Sequence, residues 1–408
     1  MLEWKLIRLG DICVTNKNSY SSKDNWKFVN YLDTGSITEN KITELQYINI
    51  ETDKMPSRAR RKVIKNSILY STVRPNQLHY GIIKEPVDNL LVSTGFTVID
   101  VDTNKAIPEF IYYLLTQNNI TEKLQAIAEQ SVSTYPSIKS SDIEDLEFKL
   151  PNLIIQNKIV SILDTIDSKI CQNEKINNNL EQQAQAIFKS WFVDFEPFGG
   201  VQPSEMQFIP LQELCKVVTK GTTPTTLGKS FTSSGINFIK AESILDNHSI
   251  DSSKFAFIDE ETNALLKRSI IKANDIVFTI AGTLGRFAMV DNSVLPANTN
   301  QAVAIIRPDE TKVTPAYLYS FFIGNWHNEY YSKRIQQAVQ ANLSLTTIKS
   351  LPIAVLNNTT MSNYDKLVSP LFALMKNNEE ENRRLSKLRD ALLPKLISGE
   401  LDVSDINL

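Results

Sequence analysis

The polar residues best suited to directional chemistry cluster in Ser71-Thr72-Val73-Arg74-Pro75-Asn76-Gln77-Leu78-His79-Tyr80-Gly81, directly after a strand-like run. Arginine carries a planar fork of donors that fits a guanine edge. Asparagine and glutamine each pair one donor with one acceptor, which fits an adenine edge. Arg74, Asn76, Gln77 and His79 are therefore candidate base readers. A second set lies beyond the chain midpoint: Lys220, Thr222 and Thr223 in Lys220-Gly221-Thr222-Thr223-Pro224, Arg286 closing the loop Ala281-Gly282-Thr283-Leu284-Gly285-Arg286, Asn298, Asn300 and Gln301 in one run, and Gln340 and Asn342 in a glutamine-rich stretch. Ser133 and Tyr135 sit at the first-half counterpart of that stretch. Many of these are also turn-forming types, so residue chemistry alone does not separate contact from scaffold.

The formal net charge is −3, which by itself argues against a polyanion partner, but the distribution is uneven. No acid occurs from Lys54 to Lys84, a span holding Arg58, Arg60, Arg61, Lys62, Lys65 and Arg74. None occurs from Leu214 to Ala241, which holds Lys216, Lys220, Lys229 and Lys240, nor from Tyr330 to Tyr364, which holds Lys333, Arg334 and Lys349. Basic islands in a balanced chain are the footprint of phosphate contacts. The competing reading is a solvated basic face, and its weight falls when both halves carry islands.

Bond-making motifs are missing. Gly228-Lys229-Ser230 resembles the end of a phosphate-binding loop, but the glycine required five residues earlier is Thr223, and Gly221 comes two residues too soon. His79, His248 and His327 are scattered and lack ligand spacing. Cys13, Cys171 and Cys215 form no Cys-x-x-Cys pair and read as small apolar residues in a reducing, cytoplasmic setting. No Gly-x-Ser-x-Gly, His-Glu-x-x-His or Asn-Pro-Pro-aromatic segment occurs. Neither a secretion signal nor a bilayer-spanning run is present. The expectation is recognition without catalysis and without a metal or cofactor held by this chain.

The elements that must position these residues come in two copies. Ile7–Cys13 matches Ile209–Cys215, Asn66–Ser71 matches Asn274–Thr279, and Pro108–Tyr113 matches Pro315–Ser320. Val63-Ile64, Ile68–Val73 and Phe96–Val101 read as strands, and Pro108–Ala128 as one helix. Each copy ends in a long helix, about Ile155–Phe192 and about Tyr364–Leu396, the second closed by Gly399. Apolar residues follow four-three spacing at Ile159, Leu163, Ile166, Ile170, Leu180, Ala184, Ile187 and Trp191, and at Leu367, Leu371, Leu374, Leu385, Leu388 and Leu392. These sets are related by a constant offset of 208, and both turn polar at mid-length, at Asn173 and Asn177 and at Asn378 and Glu381. The fold class is α+β: two similar mixed units with mostly antiparallel strands, joined by two long helices pairing as an antiparallel coiled coil with a pseudo-two-fold internal repeat. Boundaries fall at 1–150, 151–197, 198–357 and 358–408.

Two segments bear a family likeness: Phe188-Lys189-Ser190-Trp191-Phe192-Val193-Asp194-Phe195 and the tail from Leu388 to Leu401. With Tyr31–Ile37 and Lys220–Pro224 they resemble segments of the specificity subunit of type I restriction–modification enzymes. The resemblance covers the whole chain. It implies two target recognition domains, each reading half of a split double-stranded DNA site. It implies methyltransferase subunits, two of them, docked on the helices, and translocase–endonuclease subunits joining these. S-adenosylmethionine, ATP and magnesium would belong to those partners. Phe188, Trp191, Phe192, Leu393 and Leu396 are the expected partner-binding residues. A helix of ~35 residues is roughly 50 Å long, against roughly 34–36 Å per duplex turn, so an unread gap between half-sites is expected. Different loops in the two units predict an asymmetric target. A stand-alone DNA-binding regulator is the alternative. A structural coiled coil fits poorly with the basic islands, and an enzyme with the missing motifs.

Overall fold

The computed structural model describes residues 4–131, 135–326, 330 and 343–406. The chain folds as two compact units, Met1–Cys171 with Asn382–Leu408, and Gln172–Glu381. Each unit thus combines one globular body with half of each long helix. The helices span Leu153–Phe192 and Asn358–Ser398. Packing groups the helical halves with the bodies.

In the first unit the strands are β1 (Lys5–Arg8), β2 (Cys13–Thr15), β3 (Phe28–Leu32), β4 (Ile37–Thr38), β5 (Lys41–Ile42), β6 (Gln46–Asn49), β7 (Ala59–Lys62), β8 (Ser67–Ser71), β9 (Tyr80–Ile83), β10 (Leu90–Ser93), β11 (Phe96–Val101) and β12 (Glu147–Leu150). They form sheets β2-β11-β8-β9 and β6-β3-β10-β7, and two-stranded pairs β1-β12 and β4-β5. Strand β8 is buried along its whole length, as a β-branched and aromatic run between two layers should be. The second unit has β13 (Gln207–Pro210), β14 (Cys215–Lys220), β15 (Ile236–Ile239), β16 (Ala256–Ile258), β17 (Ile276–Thr279), β18 (Phe287–Met289), β19 (Ala297–Thr299), β20 (Val303–Pro308) and β21 (Pro352–Val355). Its sheets are β14-β20-β17-β18 and β16-β15-β19, with the pair β13-β21. The strand orders correspond, and each unit has a parallel pair, β3 with β10 and β15 with β19.

The repeat extends to single hydrogen bonds. Leu9 N–H donates to Leu146 O and Leu211 N–H to Leu351 O, while Asp102 N–H donates to Ile12 O and Asp309 N–H to Leu214 O. Lys105 and Lys312 each place Nζ on a backbone carbonyl, of Asp11 at 2.9 Å and Glu213 at 2.8 Å. Asn66 and Asn274 share a left-handed turn, with φ of 63° and 66°.

Three expectations are corrected. Val63-Ile64 is not a strand: Ile64 N–H donates to the Ser67 hydroxyl in a turn, and the strand lies just before it, in β7. Pro108–Ala128 is two helices, Pro108–Leu115 and Asn118–Glu129. The Thr116 hydroxyl and Gln117 amide donate to Tyr113 O and Leu114 O, ending the first helix locally. The second long helix keeps Leu371 and Leu392 of the expected stripe against the cores but turns others outward. Tyr364, Val368, Met375 and Asn378 are buried, whereas Leu367, Leu374 and Leu388 are 47%, 45% and 49% exposed. The first helix follows the expected stripe, with Ile159, Leu163, Ile166, Leu180 and Ala184 buried. Within the second unit the helices run antiparallel through a polar layer: Asn173 donates to Glu381 at 2.7 Å, and Asn378 to Asn177 at 2.7 Å.

Candidate nucleic-acid interface

In each unit the loops converge where the two parallel strands end side by side. In the first unit, β10 runs into the turn Thr94-Gly95, whose backbone is tied on both sides. Thr94 N–H donates to Arg58 O, and Gly95 O accepts the Thr72 N–H and hydroxyl. Thr34, just after β3, presses on the same turn: a Cβ on Gly95 would lie 2.8 Å from its methyl. Arg58 and the loop Thr72–His79 are thereby joined into one rim. Arg58, Arg60, Arg74, Asn76 and Gln77 are exposed on it or beside it. The Arg74 guanidinium lies 5.1 Å from the centre of the Tyr135 ring.

Other expected contacts in this unit are engaged internally. Lys62 pairs with Asp24 and sits 5.2 Å from the centre of the Trp26 ring. That hydrogen bond holds the Asp24 carboxyl below its usual range. Arg61 turns its Nε inward, and burial pulls its pKa down. His79 Nδ1 lies 2.7 Å from Ile37 O and 3.1 Å from the Thr38 hydroxyl, which makes it a brace between β4 and β9. Ser133 lies outside the described residues.

In the second unit, Gly221 N–H donates to Asn300 O at 3.1 Å. A Cβ there would meet Thr299 O at 1.9 Å, so only glycine allows the strap Lys220–Thr223 to lie across the turn after β19. Thr223 donates to Gln301, and Arg268 Nη2 donates to Lys220 O at 3.4 Å and to the Thr222 hydroxyl at 3.3 Å. Lys240, which follows β15, lies 5.7 Å from the centre of the Phe231 ring. This rim therefore brings together Lys220, Thr222, Thr223, Asn300 and Gln301 with Arg268, while Lys240 is paired with Glu242 at 3.2 Å. Arg268 was missed because Glu260 and Glu261 stand just before it in sequence. Its adjacent partner in the dipeptide, Lys267, was the available signal.

Asn298 is fully buried, accepting from Ser269 at 2.7 Å and donating to Asn263 at 2.8 Å, so it supports the rim from beneath and reaches no base. Arg286 is committed to Asp246 through two nitrogens and Lys229 to Glu261 at 2.7 Å. Gln340 and Asn342 lie outside the described residues. Phe188 and Phe192 are buried against Tyr317 and Tyr364, and Leu396 lies in the core of the first unit, so these three do not face a partner. Trp191 and Leu393 are half-buried on the same cores. Nucleophilic chemistry finds no support in the equivalent thiols, since burial pushes Cys13 and Cys215 up to about 12. Among the described residues, no helix is long and apolar enough to cross a membrane.

Residues 1–182 and 203–357 match the model of the type I restriction modification DNA specificity domain. The chain is 28% identical to the type I restriction enzyme HindI specificity subunit of Haemophilus influenzae, over 98% of this chain and 100% of that protein. It is 26% identical to the MjaIX specificity subunit of Methanocaldococcus jannaschii, over 98% and 94% of the two chains. Among solved structures, the S subunit of a type I restriction–modification system from M. genitalium aligns with a TM-score of 0.57 at 16% identity, covering 97% of this chain and 96% of that one, a likeness of fold.

Proposed function

The chain belongs to the type I restriction modification DNA specificity family, and on that premise we propose that each unit reads one half of a split, asymmetric DNA site through the rim at the end of its parallel strand pair. The observation that carries this is a framework whose strand order and several backbone hydrogen bonds recur beneath rims of different chemistry. The first rim presents Arg58, Arg60, Arg74, Asn76 and Gln77; the second presents Lys220, Thr222, Thr223, Arg268, Asn300 and Gln301. Phosphate contacts fix position and add affinity, while base-edge contacts select sequence. The long helices leave an unread gap between the halves. The apolar stripe Leu367, Leu374 and Leu388 on the second long helix carries methyltransferase subunits, two per assembly, in place of the buried Phe188, Phe192 and Leu396. Translocase–endonuclease subunits complete the enzyme, and S-adenosylmethionine, ATP and magnesium are held by the partners. This chain contributes recognition and no bond chemistry.

Selection of randomised duplex DNA with the full-length chain tests the reading. The expected product is a motif in two unlike parts separated by a fixed number of unselected positions. A single contiguous motif, or a palindrome, overturns it.

A further inference from the structure

Arg74 occupies a backbone position better suited to glycine. Its φ is 47°, in the left-handed region where Cβ crowds the following carbonyl. The equivalent residue of the second unit is Gly282, with φ of 78°. Hydrogen bonds two residues earlier fix the equivalence. Thr72 and Ile280 donate N–H to Gly95 O and Ala302 O, and accept from Ile138 and Leu343. The second unit fills the position with the residue that takes it without strain; the first unit fills it with a long cation. Strain kept at an exposed position points to recognition rather than to folding.

The arginine is also pre-set. Its N–H donates to Pro136 O at 3.0 Å, and its carbonyl accepts from Gln77 N–H at 2.9 Å. Its guanidinium lies against Tyr135, itself 57% exposed. Among the described residues no carboxylate pairs with it, unlike Lys62 and Arg286. A guanidinium held against a ring keeps its donor edge free for a planar, two-acceptor partner. On the reading of the first unit as a DNA-binding body, we propose that Arg74, stacked on Tyr135, reads a guanine of the first half-site through the O6 and N7 of its major-groove edge.

The test selects randomised duplex DNA with the full-length chain and its Arg74→Lys, Arg74→Gly and Tyr135→Ala variants, and measures each melting temperature. The wild type should enrich guanine at one position of one half. Arg74→Lys and Arg74→Gly should lose that preference by roughly tenfold to a hundredfold, and Tyr135→Ala should weaken it, all with the other half-site unchanged. Arg74→Gly should melt no lower than wild type, because glycine relieves the left-handed backbone. Exchanging that guanine for 7-deazaguanine should weaken wild-type binding and leave Arg74→Gly unaffected. Equal loss on every sequence would make Arg74 a phosphate contact, and an unchanged motif would make it scaffold; either result overturns the proposal. If the wild type enriches no motif at all, the DNA-reading function itself falls, and this with it.

Discussion

At the scale of single residues, what decides a cation's role is whether an acid reaches it. Arg60 is exposed on β7, an edge strand of its sheet, beside the irregular pairing between Val92 and Ser93. Lys62, two residues on, is spent on Asp24 and Trp26. Arg60→Ala should therefore weaken binding to all duplexes alike and lower the slope of log K against log salt by about one unit. Lys62→Ala should leave that slope unchanged and act on stability instead. Asp24 is depressed in the folded state, so its contribution is present above the ordinary carboxylate range and lost as pH falls through the folded value. Removing Lys62 should raise the Asp24 pKa toward 3.8 and flatten stability against pH on the acid side. Carboxyl titration by NMR and binding isotherms at several salt concentrations would check both; a changed salt slope in Lys62→Ala would undo the distinction. The residue types at the rims were legible in the sequence, and their engagement was not. The acid-free span around Lys62 is acid-free only along the chain: Asp24 comes from 38 residues away, and Asp246 reaches Arg286 from 40 residues away.

At the scale of elements, both long helices and the polar layer between them were legible, because four-three spacing and buried amides need only local sequence. The stripe on the second helix was misplaced for a reason that lies upstream. The offset between copies is 208 at Asn66 and Asn274, but it is 205 by Leu146 and Leu351, which accept equivalent hydrogen bonds. Carrying 205 into the helices pairs Leu163 with Val368, Ile166 with Leu371 and Ile170 with Met375, which matches the observed burial of Leu163, Val368 and Met375. Loops that differ in length between copies shift the frame by three, and no periodicity within the helix reports the shift. Neighbours on this helix should consequently differ sharply. Met375→Gln places an amide in the seam and should cost about 2–3 kcal/mol, from lost apolar burial and a poorly satisfied polar group. Leu374→Gln, at an exposed position, should stay within about 0.5 kcal/mol. Denaturant unfolding of the full chain would separate them, and equal costs would return the seam to the 208 frame.

At the scale of the whole molecule, the first body is closed by the far end of the chain. Its core holds Leu9, Ile12, Ile68, Phe110 and Leu163 together with Leu396, Ile397 and Val403. Lys158 Nζ donates to Ser404 O at 2.5 Å, and Gly399, at φ of 76°, leaves room for Trp4 where a Cβ would lie 2.8 Å from the ring. Residues 1–150 are accordingly not a self-sufficient module, and exchanging recognition bodies at that boundary must preserve the contacts made by the helix and tail. Burial of a Leu, Ile or Val side chain is worth about 1.5–3 kcal/mol, so losing these three removes roughly 4.5–9 kcal/mol, comparable with the roughly 5–15 kcal/mol of a typical domain. Truncation after Lys395 should therefore unfold or nearly unfold the first unit while leaving the second intact. In hydrogen exchange, amides of β2, β8 and β11 should lose protection and those of β14, β17 and β20 should keep it. Equal loss in both sets would mean that the two units fold as one cooperative body, and retained protection in β8 and β11 would mean that the tail is dispensable to the core it enters.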